Sequence, residues 1–280
     1  MLRSGARRAM ASDLPVTELD RLFVSPARTA REAALRAASS PSVWLKVLDR
    51  WHTMQAQGDA FPASREAASI AEMGSVAALL ETPPVVAICG APNTGKSTLF
   101  NALLGYSRSI DSPAEGTTHD SIREPLPLRG FTVVLSDTPG YGGSDAVWAD
   151  ILTSEAARAA AGADLAVLLL SPDAVLQPEE LAQFHRALLV SGKADASPRM
   201  AEGAALAVSG LRGDNLSLLC DHIADMLGIP AENSSISFPL PFGQSFREAV
   251  ICFSTSPSIE ALANCRMELY NCLDLLMTRA

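Results

Sequence analysis

Positive charge is scarce in this chain. Lys and Arg number 22 against 31 acidic residues, a formal charge of −9 over 280 residues. A sequence-blind grip on nucleic acid needs a strong positive field, so it is not expected as the main activity. Long apolar runs are also missing. The longest clear one is Leu165–Leu170, far short of the ~20 residues that span a bilayer. No membrane association is expected, and the opening MLRSGARRAM lacks the apolar centre of a secretory signal. Cysteines are few and odd in number, at positions 89, 220, 252, 265 and 272, with no C-x-x-C spacing. Disulfide scaffolds and zinc modules both fit that pattern poorly. The four histidines, His52, His119, His185 and His222, show no zinc-ligand spacing either. The expectation is a reduced, soluble, cytoplasmic protein.

What is there is globular: 48% hydrophobic and 19% charged residues, in a length that suits one to two domains. Charge is uneven. Residues 1–36 hold seven Arg against four acids, so the remainder carries the whole acidic excess. These arginines read as solvated helix residues.

Residues 27–82 read as helical. Trp44, Val47, Leu48 and Trp51 fall at i, i+3, i+4 and i+7, one face of a helix that reads as core. A second, Ala-rich helical stretch runs from Ser64 to Leu80 and ends at Thr82-Pro83-Pro84. From Val85 the pattern changes. Short uncharged runs, Val85–Cys89, Thr132–Leu135, Leu165–Leu170, Ala187–Val190 and Ala205–Val208, alternate with helical stretches. That alternation indicates an α/β fold with a mostly parallel sheet. The polar loop Ser107 to Asp120 is long for a compact domain, which suggests function. Asn233 to Phe242 reads as a connector, and Leu262, Cys265, Leu269, Cys272 or Leu273, and Leu276 form a final helical stripe. The cysteines on that stripe behave as small hydrophobes. The expected organisation is a helical region 1–83, an α/β domain 84–230, and a segment 231–280 whose helix packs with the N-terminal helices into an all-α subdomain.

Gly90-Ala91-Pro92-Asn93-Thr94-Gly95-Lys96-Ser97 matches G-x-x-x-x-G-K-[ST] between a strand and a helix. Glycines let such a loop wrap an anion, and the unpaired N–H groups of the helix start, through Thr98, face its phosphates. Lys96 adds charge toward the β- and γ-phosphates, and the Ser97 hydroxyl can ligate Mg²⁺. Asp137, in Asp137-Thr138-Pro139-Gly140, ends the next strand at the same sheet edge, where an acid can hold Mg²⁺ through water and the Gly140 N–H can reach a γ-phosphate. Thr117-Thr118 lies between them on a loop able to order with triphosphate.

Downstream stand Ser191-Gly192-Lys193-Ala194-Asp195 and Ser209-Gly210-Leu211, each after an apolar run. With the phosphate loop, GTTHD and DTPG, this order resembles the TrmE/Era/EngA group of P-loop GTPases, and most of all the G domain of the MnmE (TrmE) family, which also interrupts a helical domain. The recognisable motifs cover residues 85–228. The resemblance implies that Lys96 and Ser97 bind phosphate and Mg²⁺, that Thr118 is a further Mg²⁺ ligand, and that Asp137 and Gly140 are switch elements. It implies K⁺ coordination by Asn93, guanine recognition by Asp195, Lys193 lying along the base, and Ser209-Gly210 in place of Ser-Ala. Lys96, Thr118 and Gly140 are thereby the candidate catalytic residues.

Three departures qualify the resemblance. Gly192 replaces the asparagine of N-K-x-D, which weakens guanine preference by about 1 kcal/mol for one lost hydrogen bond. Tyr141 stands where Ras-like enzymes carry a glutamine, and Ala149 where the MnmE group carries a glutamate; Asp145 and Asp150 are nearby carboxylates. Neither the family's folate-binding domain nor its terminal cysteine motif is seen, so tRNA uridine modification is not expected of this chain by itself. The main expectation is a GTP·Mg²⁺ switch that hydrolyses slowly, through K⁺ or through pairing of two such domains. A nucleotide-gated binding module with little catalysis, a tRNA-modification GTPase with an RNA or protein partner, and an ATPase stay open beside it.

Overall fold

A computed structural model of the chain describes residues 15–24, 26–105, 122–137, 162–174, 181–182, 184–197, 199–231 and 239–279. Along them run helices α1 (Val16–Val24), α2 (Ala30–Ala38), α3 (Pro41–Ala56), α4 (Phe61–Ala71) and α5 (Gly74–Glu81), then strand β1 (Val85–Cys89) and helix α6 (Lys96–Leu103). Strands β2 (Ile122–Leu128), β3 (Phe131–Asp137), β4 (Leu165–Leu170), β5 (Ala187–Ser191) and β6 (Leu206–Ala207) follow, and then helices α7 (Leu216–Met226), α8 (Gln244–Thr255) and α9 (Ile259–Arg279). Residues 83–230 form one compact unit; residues 1–82 together with 231–280 form another.

In the first unit the strands lie in the order β2-β3-β1-β4-β5-β6. All pairings are parallel except β2 with β3, so the mostly parallel sheet is as expected. The charge-free runs have a physical reason: all six residues of β4 are buried, leaving no solvated face for a charge. From β1 the chain continues to β3 on one side, while β4, β5 and β6 build the other. Such a reversal opens a crevice at the carboxyl ends of the strands, which is where an open α/β sheet takes its ligand.

Strand β2 was not among the expected runs. Its sequence IREPLPL carries two prolines, which cannot donate to a ladder and normally argue against a strand. The sheet accepts them because β2 is an edge strand, paired only with β3. Leu126 and Leu128 alternate inward and are buried. Three of the expected strands also differ in extent: Thr132–Leu135 lengthens to Phe131–Asp137, Ala187–Val190 gains Ser191, and Ala205–Val208 shrinks to two residues.

The helical unit is built around aromatic side chains. Trp44, Val47, Leu48 and Trp51 are all buried, as their spacing indicated. Trp44 meets Phe246 edge-on at 4.7 Å, and Trp51 stacks on Phe253 at 5.0 Å. Each indole N–H keeps a partner, Trp44 donating to the Leu240 carbonyl and Trp51 to Glu66 Oε2, both at 2.9 Å. The Ala-rich stretch from Ser64 to Leu80 divides into α4 and α5 at Glu72-Met73, just ahead of Gly74. Helix α8 was not anticipated, although Phe246, Ala249, Val250 and Phe253 form its buried stripe.

One arginine of the basic N-terminal stretch departs from the solvated reading. Arg36 is buried, donates to the carbonyls of Phe23 and Leu80, and lies against the rings of Phe23 and Phe242. Burial lowers its pKa, against the raising influence of Glu32 and Glu81. Among the described residues no helix is long and apolar enough to cross a membrane.

Candidate functional site

The phosphate loop leaves β1 at Gly90, whose φ of +157° is one that residues with a side chain rarely adopt. A Cβ built there would lie 2.4 Å from the Leu169 carbonyl oxygen, so only glycine lets β1 and β4 end side by side. Asn93 and Gly95 then take left-handed conformations, with φ of 62° and 100°. Gly95 caps α6, and the first helical bond runs from Leu99 N to the Gly95 carbonyl at 2.9 Å. The amides ahead of Leu99 form the helix head, the ordinary anchor for an anion.

Two side chains fold into the loop and hold its curve. Thr94 Oγ1 donates to the Ala91 carbonyl at 2.9 Å, and Lys96 Nζ donates to the same oxygen at 2.8 Å. Lys96 is only 7% exposed. Desolvation lowers its pKa, opposed by Asp137 and Cys89. Its ammonium is therefore a buried cation held by a carbonyl.

The register pairs Ile88 with Asp137, so the end of β3 sits beside the start of the loop. There Ser97 Oγ donates to Asp137 Oδ2 at 3.0 Å. The two candidate Mg²⁺ ligands thus meet, although 40 residues separate them. Thr117, Thr118, Gly140, Tyr141, Asp145, Ala149 and Asp150 lie outside the described residues.

The candidate base motifs follow β5 and β6 and face the same cleft as the loop. A cleft of about 200 Å³ is lined by Thr94, Gly95 and Thr98 from the phosphate side and by Lys193, Asp195 and Gly210 from the β5 and β6 ends. Ser209 stands behind it, donating from Oγ to Asp195 Oδ1 at 2.5 Å. That bond, chiefly, holds the Asp195 carboxyl below its ordinary pKa, with Arg212 and Lys193 adding to it. The same Ser209 oxygen accepts from Arg212 N at 3.0 Å, which closes the turn after β6. Lys193 has a left-handed φ of 56°, and Ala194 N donates to the Val208 carbonyl at 3.0 Å, tying the two base loops together. Asn93 is exposed and does not line the cleft.

Sequence reasoning missed the cleft's apolar walls, Leu99, Leu169, Val208 and Leu211. Three of these are buried core residues by pattern, with nothing to set them apart. Leu211 directly follows Ser209-Gly210 and is 78% exposed, so a leucine left open beside a polar motif was the available signal.

Residues 85–194 match the family described as 50S ribosome-binding GTPase. The α/β unit is a GTPase domain. The expected kinship with the TrmE/Era group holds. The tRNA modification GTPase MnmE of Thermus thermophilus is 33% identical over 172 residues, 61% of this chain and 38% of that protein. MnmE of Cereibacter sphaeroides is 41% identical over 145 residues, 51% of this chain and 32% of that one. The chain thus spans about a third of the length of these two relatives. Among solved structures, Era of Aquifex aeolicus is 24% identical with a TM-score of 0.38, covering 61% of this chain and 65% of its own.

Proposed function

We propose that this chain binds GTP with Mg²⁺ and hydrolyses it slowly, as a switch read by a partner. What supports this most is one meeting point: a phosphate loop and an Asp-bearing base loop line a single cleft. Lys96 and the amides of residues 95–98 hold the β- and γ-phosphates. Asp195, held by Ser209, accepts the paired N–H donors of guanine, which adenine lacks in that position. Lys193 and Leu211 flank the base.

Ser97 and Asp137 suit Mg²⁺, because both offer hard oxygen donors and this ion keeps most of its shell from water and phosphate. The ion these residues would hold would supply positive charge against the phosphates. Thr118 completes the same ligand set from switch I, and Gly140 donates its N–H to the γ-phosphate. Lys96, Thr118 and Gly140 are the groups on which hydrolysis then depends. Asn93, exposed at the crest of the loop, is the site for K⁺, which supplies the charge an arginine finger would bring. Pairing of two GTPase domains around the phosphates completes the site. Its place of action is the cytoplasm, in keeping with five free cysteines.

The decisive experiment compares GTP, GDP, ATP and XTP binding, with Mg²⁺, for wild type and Asp195→Asn. GTP and GDP bind well above ATP, and the variant shifts toward XTP. Equal ATP and GTP affinities refute the guanine reading. Hydrolysis is then measured in K⁺ and in Na⁺; identical rates refute the role of Asn93, and a GTP half-life unchanged from free nucleotide leaves a binding module without catalysis.

A further inference from the structure

Two glycines of the base cleft are packed where a side chain has no room. Gly192 follows β5. A Cβ there would lie 2.9 Å from the Thr94 carbonyl oxygen and 3.2 Å from Leu169 Cγ and Cδ1. Gly210 follows β6. A Cβ there would lie 2.8 Å from Leu99 N and 2.9 Å from both Leu99 Cα and Thr98 C. Non-bonded carbons rest at about 3.5–4.0 Å. The closest atoms are main chain in both cases, so they cannot swing aside as the end of a side chain does. Neither glycine has a left-handed φ, so the demand is for space and not for backbone conformation.

The loops are also held from behind. Gly192 N donates to the Leu170 carbonyl at 2.8 Å, Val208 N to the Ser191 carbonyl at 2.8 Å, and Ala194 N to the Val208 carbonyl at 3.0 Å. The loop carrying Asp195 therefore rests on the phosphate loop at Thr94, and the loop carrying Ser209 rests on the first turn of α6. Both contacts line the same cleft.

Resting on the guanine reading above, we infer that Gly192 and Gly210 determine the nucleobase specificity of this site. By letting both base loops seat directly on the phosphate loop and α6, they fix the distance from the Asp195 carboxylate to the phosphate cradle. The asparagine that would complete N-K-x-D at position 192 is shut out by the same overlap. Glycine is what this cleft requires there, and restoring the family's residue impairs it.

The test is calorimetry on the full chain with GDP, ATP and inorganic tripolyphosphate, for wild type, Gly192→Ala, Gly192→Asn and Gly210→Ala. Each variant loses about tenfold or more in GDP affinity, as an overpacked contact of this kind implies. Preference for GDP over ATP shrinks, and tripolyphosphate affinity stays within about twofold, reporting an intact phosphate loop. Gly192→Asn binds GDP no better than Gly192→Ala. The inference is overturned if Gly192→Asn equals or exceeds wild type, or if the alanine variants keep full GDP affinity. It is overturned too if tripolyphosphate binding falls in parallel, since the glycines would then serve the loop as a whole. Wild type binding ATP and GDP equally would remove the guanine reading itself, and this inference with it.

Discussion

Lys96 sits where its charge is poorly solvated, and two consequences follow from that one side chain. Its pKa is lowered from 10.5, mainly by burial. Between the lowered value and 10.5 the unfolded chain binds the extra proton, so stability of the free protein rises with pH across that window. Below it, the buried ammonium detracts from stability throughout neutral pH. Lys96→Met therefore raises the stability of the nucleotide-free protein at pH 7 by on the order of 1 kcal/mol. The Ala91 carbonyl keeps the Thr94 hydroxyl as donor, so the substitution strands no acceptor. The same variant loses about ten- to a hundredfold in GDP affinity, the worth of a hydrogen bond to a charged group. Thermal melts across pH and calorimetry check both signs; a destabilised variant that still binds GDP contradicts them. The cysteines give a second check at this scale. Burial pushes the Cys265 thiol up to about 12, and Cys89 is buried as well, whereas Cys252 is exposed. In the native protein Cys252 reacts first with a thiol reagent at pH 8, and Cys265 stays protected until unfolding. Rapid native labelling of Cys265, found by peptide mapping, would contradict its placement.

Among the elements, α8 carries more of the helical unit than its length of 12 residues suggests. It brings Phe246 to Trp44 and Phe253 to Trp51. Phe253→Ala should cost about 3–5 kcal/mol, the range for a deleted core phenylalanine. A urea midpoint shifted by much less would mean that Trp51 finds another partner. Helix α8 also shows where sequence reading stops. Its stripe is as regular as that of α3, but it follows Pro239, Pro241 and Gly243, which look like a connector running on. Strand β1 and helix α6 were legible because one string of glycines, lysine and serine needs a strand before it and a helix after it. Strand β2 was not, because proline tolerance depends on being at an edge, and an edge is a property of the sheet. The site divides likewise. Lys96, Ser97 and Asp195 announce themselves by chemistry. The leucine walls, and the contact of Gly192 with Thr94, arise from approaches between residues about a hundred positions apart.

At the scale of the molecule, the two units differ in continuity. The GTPase domain is one stretch, 83–230, and the helical unit takes its residues from both sides of it. Expressed alone, residues 83–230 should fold and bind GDP, and saturating GDP at a hundred times its Kd should add about 2.7 kcal/mol to their stability. Residues 1–82 alone should lack fixed tertiary structure, because Trp44 and Trp51 lose the phenylalanines of α8. Adding a peptide of residues 231–280 restores the near-ultraviolet circular dichroism of the tryptophans. A cooperative melt from residues 1–82 without it would refute this dependence.

This divided helical unit sets an order of events on the ribosome. Helices α1 to α5 leave the exit tunnel before α8 and α9, with one face bare. At about 5–20 residues per second, roughly ten to forty seconds of translation pass before α8 and α9 have both arrived to cover that face. The nascent chain must shelter Trp44 and Trp51 during this delay while the inserted domain is synthesised, which makes the earliest helices the segment most in need of a holdase.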